Sequence, residues 1–173
     1  LSAQWPGPVT DLGEVILLPG LVNAHCHLDY TGLAGQLVPP KTFPDWIKAI
    51  LAAKSACTNA DFDRYWREGA AQLLASGTTT VANIESNSQG LAERRADTPL
   101  RVFSFWEMTG VKSRRPAADI VNEAEHLLDS MPPAHGGVGL SPHAPYSTLP
   151  ELIRASAGLG QRRHWWLTTH VAE

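Results

Sequence analysis

The feature that most constrains the fold is a regular alternation between short apolar runs and longer segments of helical periodicity. Such a pattern is typical of βα units built around a parallel sheet. The strands predicted in this way cover residues 14–18, 21–25, 78–84, 100–108, 137–144 and 164–173. The predicted helices cover residues 43–54 and 60–76, with two more that open at Pro116 and after Thr148.

Helix termini can be predicted from residues that cap the backbone or end a helix. Thr42 with Asp45 is expected to cap the first helix, Asn59 to cap the second, Gly77 to end the second, and Thr148 with Glu151 to form a capping box.

Repeated βα units fit either a (β/α)8 barrel or an open doubly wound sheet. An open sheet that binds dinucleotides carries a GxGxxG sequence directly after its first strand. Residues 25–35, HCHLDYTGLAG, occupy that place and contain no such sequence. The sequence therefore favours an α/β fold of the TIM-barrel type.

Composition narrows the class of protein. A chain of 173 residues can bury the core of one domain, and a net charge of -3 offers no basic surface for nucleic acid or for a membrane. No apolar stretch is long enough to span a bilayer, and the first ten residues lack the features of a signal peptide. Two cysteines give no disulfide framework. We expect a cytoplasmic protein that binds neither nucleic acid nor membranes.

Two histidines separated by one residue end the strand at 21–25. Strand alternation sends His25 and His27 to one face and Cys26 to the other. Two imidazoles on one face can bind one metal ion, and Cys26 is then a small core residue. Taken alone, an HxH sequence occurs more often as a structural or surface feature than as a metal site.

Histidines also occur near the ends of two later strands. His170 could complete a three-histidine site, and Glu173 could shuttle protons for an activated water. His143, between Pro142 and Pro145, fits either a substrate contact or a hydrogen-bonded turn residue. In barrel enzymes the chemistry lies at the carboxyl ends of the strands, which is where these residues fall.

Four segments together resemble successive motifs of the amidohydrolase superfamily, and most closely its aminohydrolase branch. They are LLPGLVNAHCHLDYTGLAG (17–35), GTTTVAN (77–83), GLSPHAPYSTLPEL (139–152) and THVAE (169–173). The branch includes adenosine-type, S-adenosylhomocysteine, methylthioadenosine, aminofutalosine and guanine deaminases and the triazine chlorohydrolases.

The resemblance implies a barrel with one divalent metal ion, usually zinc and sometimes iron. His25, His27 and His170 match the metal ligands, Glu173 the catalytic acid/base and His143 a substrate contact. It implies that hydroxide activated by the metal attacks an amino-bearing carbon of a purine-like heterocycle and that ammonia leaves. The branch with two metals uses a lysine at the end of strand four, and residues 137–147 contain none.

The resemblance also implies a histidine on strand six and an aspartate on strand eight, which would follow Glu173. We therefore expect residues 20–173 to be the N-terminal part of the barrel, about five βα units of eight. Residues 1–19 are expected to be a remnant of a small β-sandwich with the entry strand. Such a piece is expected to be inactive alone, and its open edges would favour a partner chain, such as a homo-oligomer.

Two classes of function follow. The first is the deaminase, or within the same superfamily a hydrolase that releases chloride or cleaves an amide-like bond. The second is a non-catalytic half-barrel that binds metal without turnover.

Overall fold

The protein, seen as a computed structural model, is described over residues 6–111 and 114–171. Five parallel strands form one sheet in the order of the sequence, β1-β2-β3-β4-β5. The strands are β1 Leu21–Cys26, β2 Thr78–Glu85, β3 Arg101–Met108, β4 Gly136–Pro142 and β5 Trp166–Leu167. The helices are α1 Phe43–Ser55, α2 Asn59–Ala75, α3 Leu91–Asp97, α4 Ala117–Asp129 and α5 Pro150–Arg163, and a 3₁₀ helix covers Leu28–Leu33.

The sheet curls into half of a (β/α) barrel, which confirms the predicted fold class. The outer face packs on the helices through residues such as Val81, Val102 and Leu140, all fully buried. The side chains that alternate with these residues along the strands line the concave inner face of the sheet. The cavity on that face has a volume of about 440 Å³. That inner face is mainly apolar and includes Ala82, Phe103 and Trp166.

Several predicted helix ends are confirmed. Thr42 caps α1 by accepting a hydrogen bond from the Asp45 amide. Pro116 directly precedes α4, and Gly77 follows α2 with a φ of 85°, a left-handed conformation that suits glycine.

Two predicted caps are wrong by one residue. Thr58, not Asn59, caps α2, because Thr58 and Asp61 exchange side-chain and backbone hydrogen bonds in a capping box. Thr148 does not cap α5, since Pro150 favours the first helical position and places the cap at Leu149. The Thr148 hydroxyl instead accepts a hydrogen bond from the Ala144 amide, at 3.4 Å.

Of the strands predicted for the edges of the sheet, one is absent from the described residues and one is shorter than predicted. Residues 14–18 form no strand, because within the described residues no strand lies beside them to pair with. The strand predicted over 164–173 shrinks to Trp166–Leu167. The apolar run at residues 21–25 predicts a buried strand, but β1 lies at an edge of the sheet with β2 as its one strand neighbour among the described residues, and Leu21 and Val22 are exposed. Whether residues 1–19 belong to a β-sandwich stays a prediction.

The described residues contain no helix with the length and hydropathy needed to cross a membrane.

Candidate metal centre

Three histidines from opposite edges of the sheet lie together at the carboxyl ends of the strands. One ring nitrogen from each of His25, His27 and His170 lies within 4.8 Å of the other two. We call these three residues the histidine cluster. Their convergence, across 143 residues of sequence between His27 and His170, is what the strand-end argument predicts. That they bind a metal stays a prediction.

The end of β1 aims two of these rings. Strand alternation places His25 and His27 on one side, with centroids 5.2 Å apart, while half-buried Cys26 packs against the core on the other. Directly after the strand, the Leu28 amide donates a hydrogen bond to the side-chain oxygen of Asn83, at 2.8 Å. Asn83 is fully buried in β2, so this hydrogen bond anchors the backbone next to His27.

The third ring is held by the residues that follow β4. The His143 carbonyl accepts from the His170 amide at 2.8 Å and lies 2.9 Å from His170 Nδ1. A carbonyl only accepts hydrogen bonds, so Nδ1 of His170 carries the proton. In the neutral ring Nε2 is therefore left with its lone pair, which is the form that binds metals.

The spacing of the rings suits zinc. His27 Nε2 and His170 Nε2 are 3.3 Å apart. Two nitrogens bound tetrahedrally to one zinc ion at ordinary distances are separated by roughly 3.4 Å. The three imidazoles as a donor set and the spacing of this pair thus fit a zinc-like ion.

The electrostatics of the cluster favour a neutral ring at His27. Burial lowers the pKa of His27 to about 3, and the nearby rings of His25 and His170 and the ammonium of Lys54 act in the same direction. His27 is therefore neutral at physiological pH, as a metal ligand has to be.

His143 lies beside the histidine cluster, where the sequence placed it. Its ring centroid is 4.8 Å from that of His170. Its Nδ1 is 2.6 Å from the Ser147 hydroxyl, and its Nε2 is 3.9 Å from a carboxylate oxygen of Glu107, at the end of β3. Glu107 was not among the predicted site residues, although its position at a strand end was the signal that could have identified it. Glu173, the predicted acid/base, lies outside the described residues.

A second group of polar side chains lies around the segment that follows His27. The Lys54 ammonium, from α1, reaches Ser86 Oγ at 2.8 Å, Tyr30 Oη at 3.3 Å and Asp29 Oδ2 at 3.4 Å. Ser86 Oγ also donates to Asp29 Oδ2 at 2.6 Å. We call Asp29, Tyr30, Lys54 and Ser86 the lysine cluster. The lysine cluster was not predicted from the sequence, because a lysine on a half-exposed helix gives no signal of its own.

Aromatic side chains lie beside His143. Tyr146 packs edge-on against His143, with centroids 5.7 Å apart, and against Phe43, at 5.8 Å. Trp46 stacks on Phe43. Phe43 and Tyr146 are exposed to 40% and 52%, so both offer ring surface to a bound molecule.

Comparison with known proteins places the chain in a family. The sequence model of the amidohydrolase family matches residues 16–173. The 5-methylthioadenosine/S-adenosylhomocysteine deaminase of Symbiobacterium thermophilum is 28% identical over 168 residues, which is 94% of this chain and 38% of that protein. The 8-oxoguanine deaminase of Pseudomonas aeruginosa is 28% identical over 187 residues, 94% of this chain and 41% of that protein.

Solved structures show the same fold. Helicobacter pylori aminofutalosine deaminase in complex with methylthio-coformycin has a TM-score of 0.71 and 22% identity, covering 88% of this chain and 37% of that one. Atrazine chlorohydrolase from Arthrobacter aurescens, complexed with zinc, has a TM-score of 0.76 and 22% identity, covering 90% and 41%.

The chain spans about two fifths of the length of the curated relatives it matches. The family model covers nearly all of it, and the half-barrel matches those structures over most of its length. The chain belongs to the amidohydrolase family.

Proposed function

We propose that the protein containing this chain is a metal-dependent aminohydrolase that deaminates a purine-like heterocycle and releases ammonia. The observation that carries the proposal is the convergence of His25, His27 and His170, with the proton of His170 fixed on Nδ1. Family membership and relatives named as deaminases support the reaction class.

His25, His27 and His170 would hold one divalent ion. Two solved structures of similar fold, the atrazine chlorohydrolase and an adenosine deaminase from Xanthomonas campestris, contain zinc, which makes zinc the first ion to test, with iron as the second. When bound, such an ion supplies Lewis-acid activation of water near neutral pH.

The chain's own residues supply positioning and proton transfer. Glu173, three residues after His170, is proposed to take a proton from the attacking water and to pass it to the departing amino group. His143 is proposed to contact the substrate ring. Its imidazole is held in place by the Ser147 hydroxyl on one side and faces Glu107 on the other.

The surroundings of the site suit a flat substrate. Phe43 and Tyr146 offer exposed ring surface beside His143, and aromatic faces stack well on planar heterocycles. The net charge of the chain, -3, gives no electrostatic reason to expect a polyanionic substrate.

The test is an ammonia-release screen of the full-length protein, loaded with zinc, against adenosine derivatives, guanine, cytosine and aminofutalosine. We expect turnover of one of these heterocycles and loss of turnover in His27→Ala and His170→Ala. His126→Ala is the matched control, because His126 is an exposed histidine on α4. Activity retained without His27 and His170 would contradict the proposal.

The same assay separates the alternatives. Release of chloride from a chlorinated triazine without ammonia release would favour a chlorohydrolase, a reaction named for one structural neighbour. Zinc binding with no turnover of any compound would favour the non-catalytic half-barrel.

A further inference from the structure

The lysine cluster lies against the histidine cluster, and the side chain of Tyr30 forms a contact between them. The Tyr30 ring stacks on the His27 ring, with centroids 4.7 Å apart and planes 22° from parallel. The orientation of His27 therefore depends on what holds Tyr30.

Lys54 holds Tyr30 in two ways. Its ammonium donates to the phenolic oxygen at 3.3 Å, and it lies 4.3 Å from the centroid of the same ring. A cation at that distance attracts the face of an aromatic ring. Tyr30 thus contacts both a cation and the His27 imidazole.

The ammonium itself is fixed from two other elements. Asp29, next to Tyr30 in the sequence, accepts from Lys54 at 3.4 Å, and Ser86, just after β2, accepts at 2.8 Å. The side chains of Lys54 and Asp29 are 15% and 6% exposed, so the ion pair is shielded from water. Asp29 Oδ1 is buried with no hydrogen bond among the described residues. A buried ion pair gains little net stability, so a positioning role is a reason for this one to be kept.

We propose that Lys54 is a positioning residue of the metal centre, which fixes Tyr30 and, through the stacked ring, the imidazole of His27. This inference rests on the proposed function, because it assumes that His27 is a ligand. Groups that orient a ligand histidine typically change metal affinity by about 10–100-fold when they are lost.

The experiment measures zinc affinity of the full-length protein by chelator competition. Lys54→Met alone would leave the Asp29 charge buried, so the main variant is the double substitution Asp29→Asn/Lys54→Met, which removes both charges. We expect its zinc dissociation constant to rise about 10–100-fold. Lys48→Met is the matched control, because Lys48 lies on the same helix with 79% of its side chain exposed, and should bind zinc like the wild type.

Two Tyr30 variants separate positioning from general destabilisation. Tyr30→Phe keeps the stacked ring and loses the phenolic oxygen, whereas Tyr30→Leu loses the stack. Zinc affinity should fall more in Tyr30→Leu than in Tyr30→Phe, and the absorption bands of the cobalt-substituted protein should change in the same order. Those bands report the ligand geometry directly, which a loss of stability would not alter.

The outcomes are distinguishable. If the wild type binds no divalent metal, the proposed function fails and this inference fails with it. If the wild type binds zinc, and both the double variant and Tyr30→Leu bind it equally well, only the positioning role of Lys54 is overturned.

Discussion

The histidine cluster and the lysine cluster are neighbours, but they are built in opposite ways. In the lysine cluster opposite charges and hydroxyl groups face one another, and Lys54 alone donates to three oxygens. In the histidine cluster three imidazoles face one another with no carboxylate among them, and burial holds the pKa of His27 far below its usual range. Three imidazoles whose lone pairs converge on one point favour the binding of an added cation. In the lysine cluster, Lys54 already supplies the cation.

The contrast separates the two clusters by what each contributes to the stability of the fold. Changes at the histidine cluster should affect metal binding and turnover and leave the metal-free fold nearly intact. Changes at the lysine cluster should destabilise the fold itself and, through Tyr30, also weaken metal binding. Four variants and their controls test this separation, from the largest expected effect to the smallest.

The largest effect is expected at Glu173. Glu173→Gln keeps the shape of the side chain but cannot shuttle a proton, so kcat of the full-length protein for the proposed deamination should fall by about 10²–10⁴-fold. Zinc content, measured on the same samples, should stay unchanged. Loss of zinc in this variant would make Glu173 a ligand, and full activity would remove it from the mechanism.

The next effect concerns stability at the lysine cluster. Lys54→Met leaves the Asp29 carboxylate buried without its cation, which should lower the free energy of unfolding by about 3–5 kcal/mol. Urea denaturation of the metal-free protein measures it. His25→Ala, at an exposed position in the other cluster, should change that free energy by less than about 1 kcal/mol. Equal losses in the two variants would break the separation drawn above.

A third prediction concerns pH and the buried carboxyl group of Glu85, which lies near Asp29 of the lysine cluster. Burial raises the pKa of Glu85 to about 7, although hydrogen bonds involving Asn83 and Ser104 oppose the shift. Between pH 4.5 and 7 the folded state thus keeps a proton that the unfolded chain releases, so rising pH lowers the stability contributed by Glu85. The contribution is fully present below about pH 4.5 and lost above about pH 7.

Glu85→Gln isolates this effect, because glutamine does not titrate. The difference in unfolding free energy between wild type and variant should change by about 3 kcal/mol across that window. Other titrating groups, including the nearby Asp29 and the histidines, are common to both proteins. A difference that stays flat with pH would show that Glu85 ionises normally in the folded state.

The smallest effect lies far from both clusters. Thr58→Ala removes the capping box of α2 and should cost about 1 kcal/mol of stability. Asn59→Ala, one residue later, should cost less than about 0.5 kcal/mol, since Asn59 is not the cap. Neither variant should change zinc affinity, and thermal melts with and without zinc measure both properties. A larger loss in Asn59→Ala would contradict the cap assignment.

The sequence predicted the parts of the fold that depend on local periodicity. The helices α1, α2 and α4 and the central strands β2 and β3 lie where the pattern placed them. Positions that depend on neighbours were less predictable. Residues 14–18 have the composition of a strand, but among the described residues they have no partner strand. α3, only seven residues long, was missed because it is too short to show a period.

Some residues of the candidate site could likewise be predicted from the sequence, and others could not. His25, His27, His143 and His170 could be named in advance, because strand ends in a barrel meet at one edge. Lys54 and Ser86 could not be named, since only the folded chain brings them to Asp29, 25 and 57 residues away in sequence. Asp29 and Tyr30 stood beside the HxH sequence, but no rule of spacing distinguishes them from ordinary loop residues.

The most direct test of the central claim, that the histidine cluster is a metal site, is the zinc content of the full-length protein after loading and dialysis. Elemental analysis should find about one zinc ion per chain in the wild type and in the control His126→Ala. The His27→Ala/His170→Ala double variant should contain almost none, while its metal-free form melts cooperatively. A wild type that keeps no zinc, iron or other divalent metal, or a double variant that keeps a full equivalent, would contradict the account.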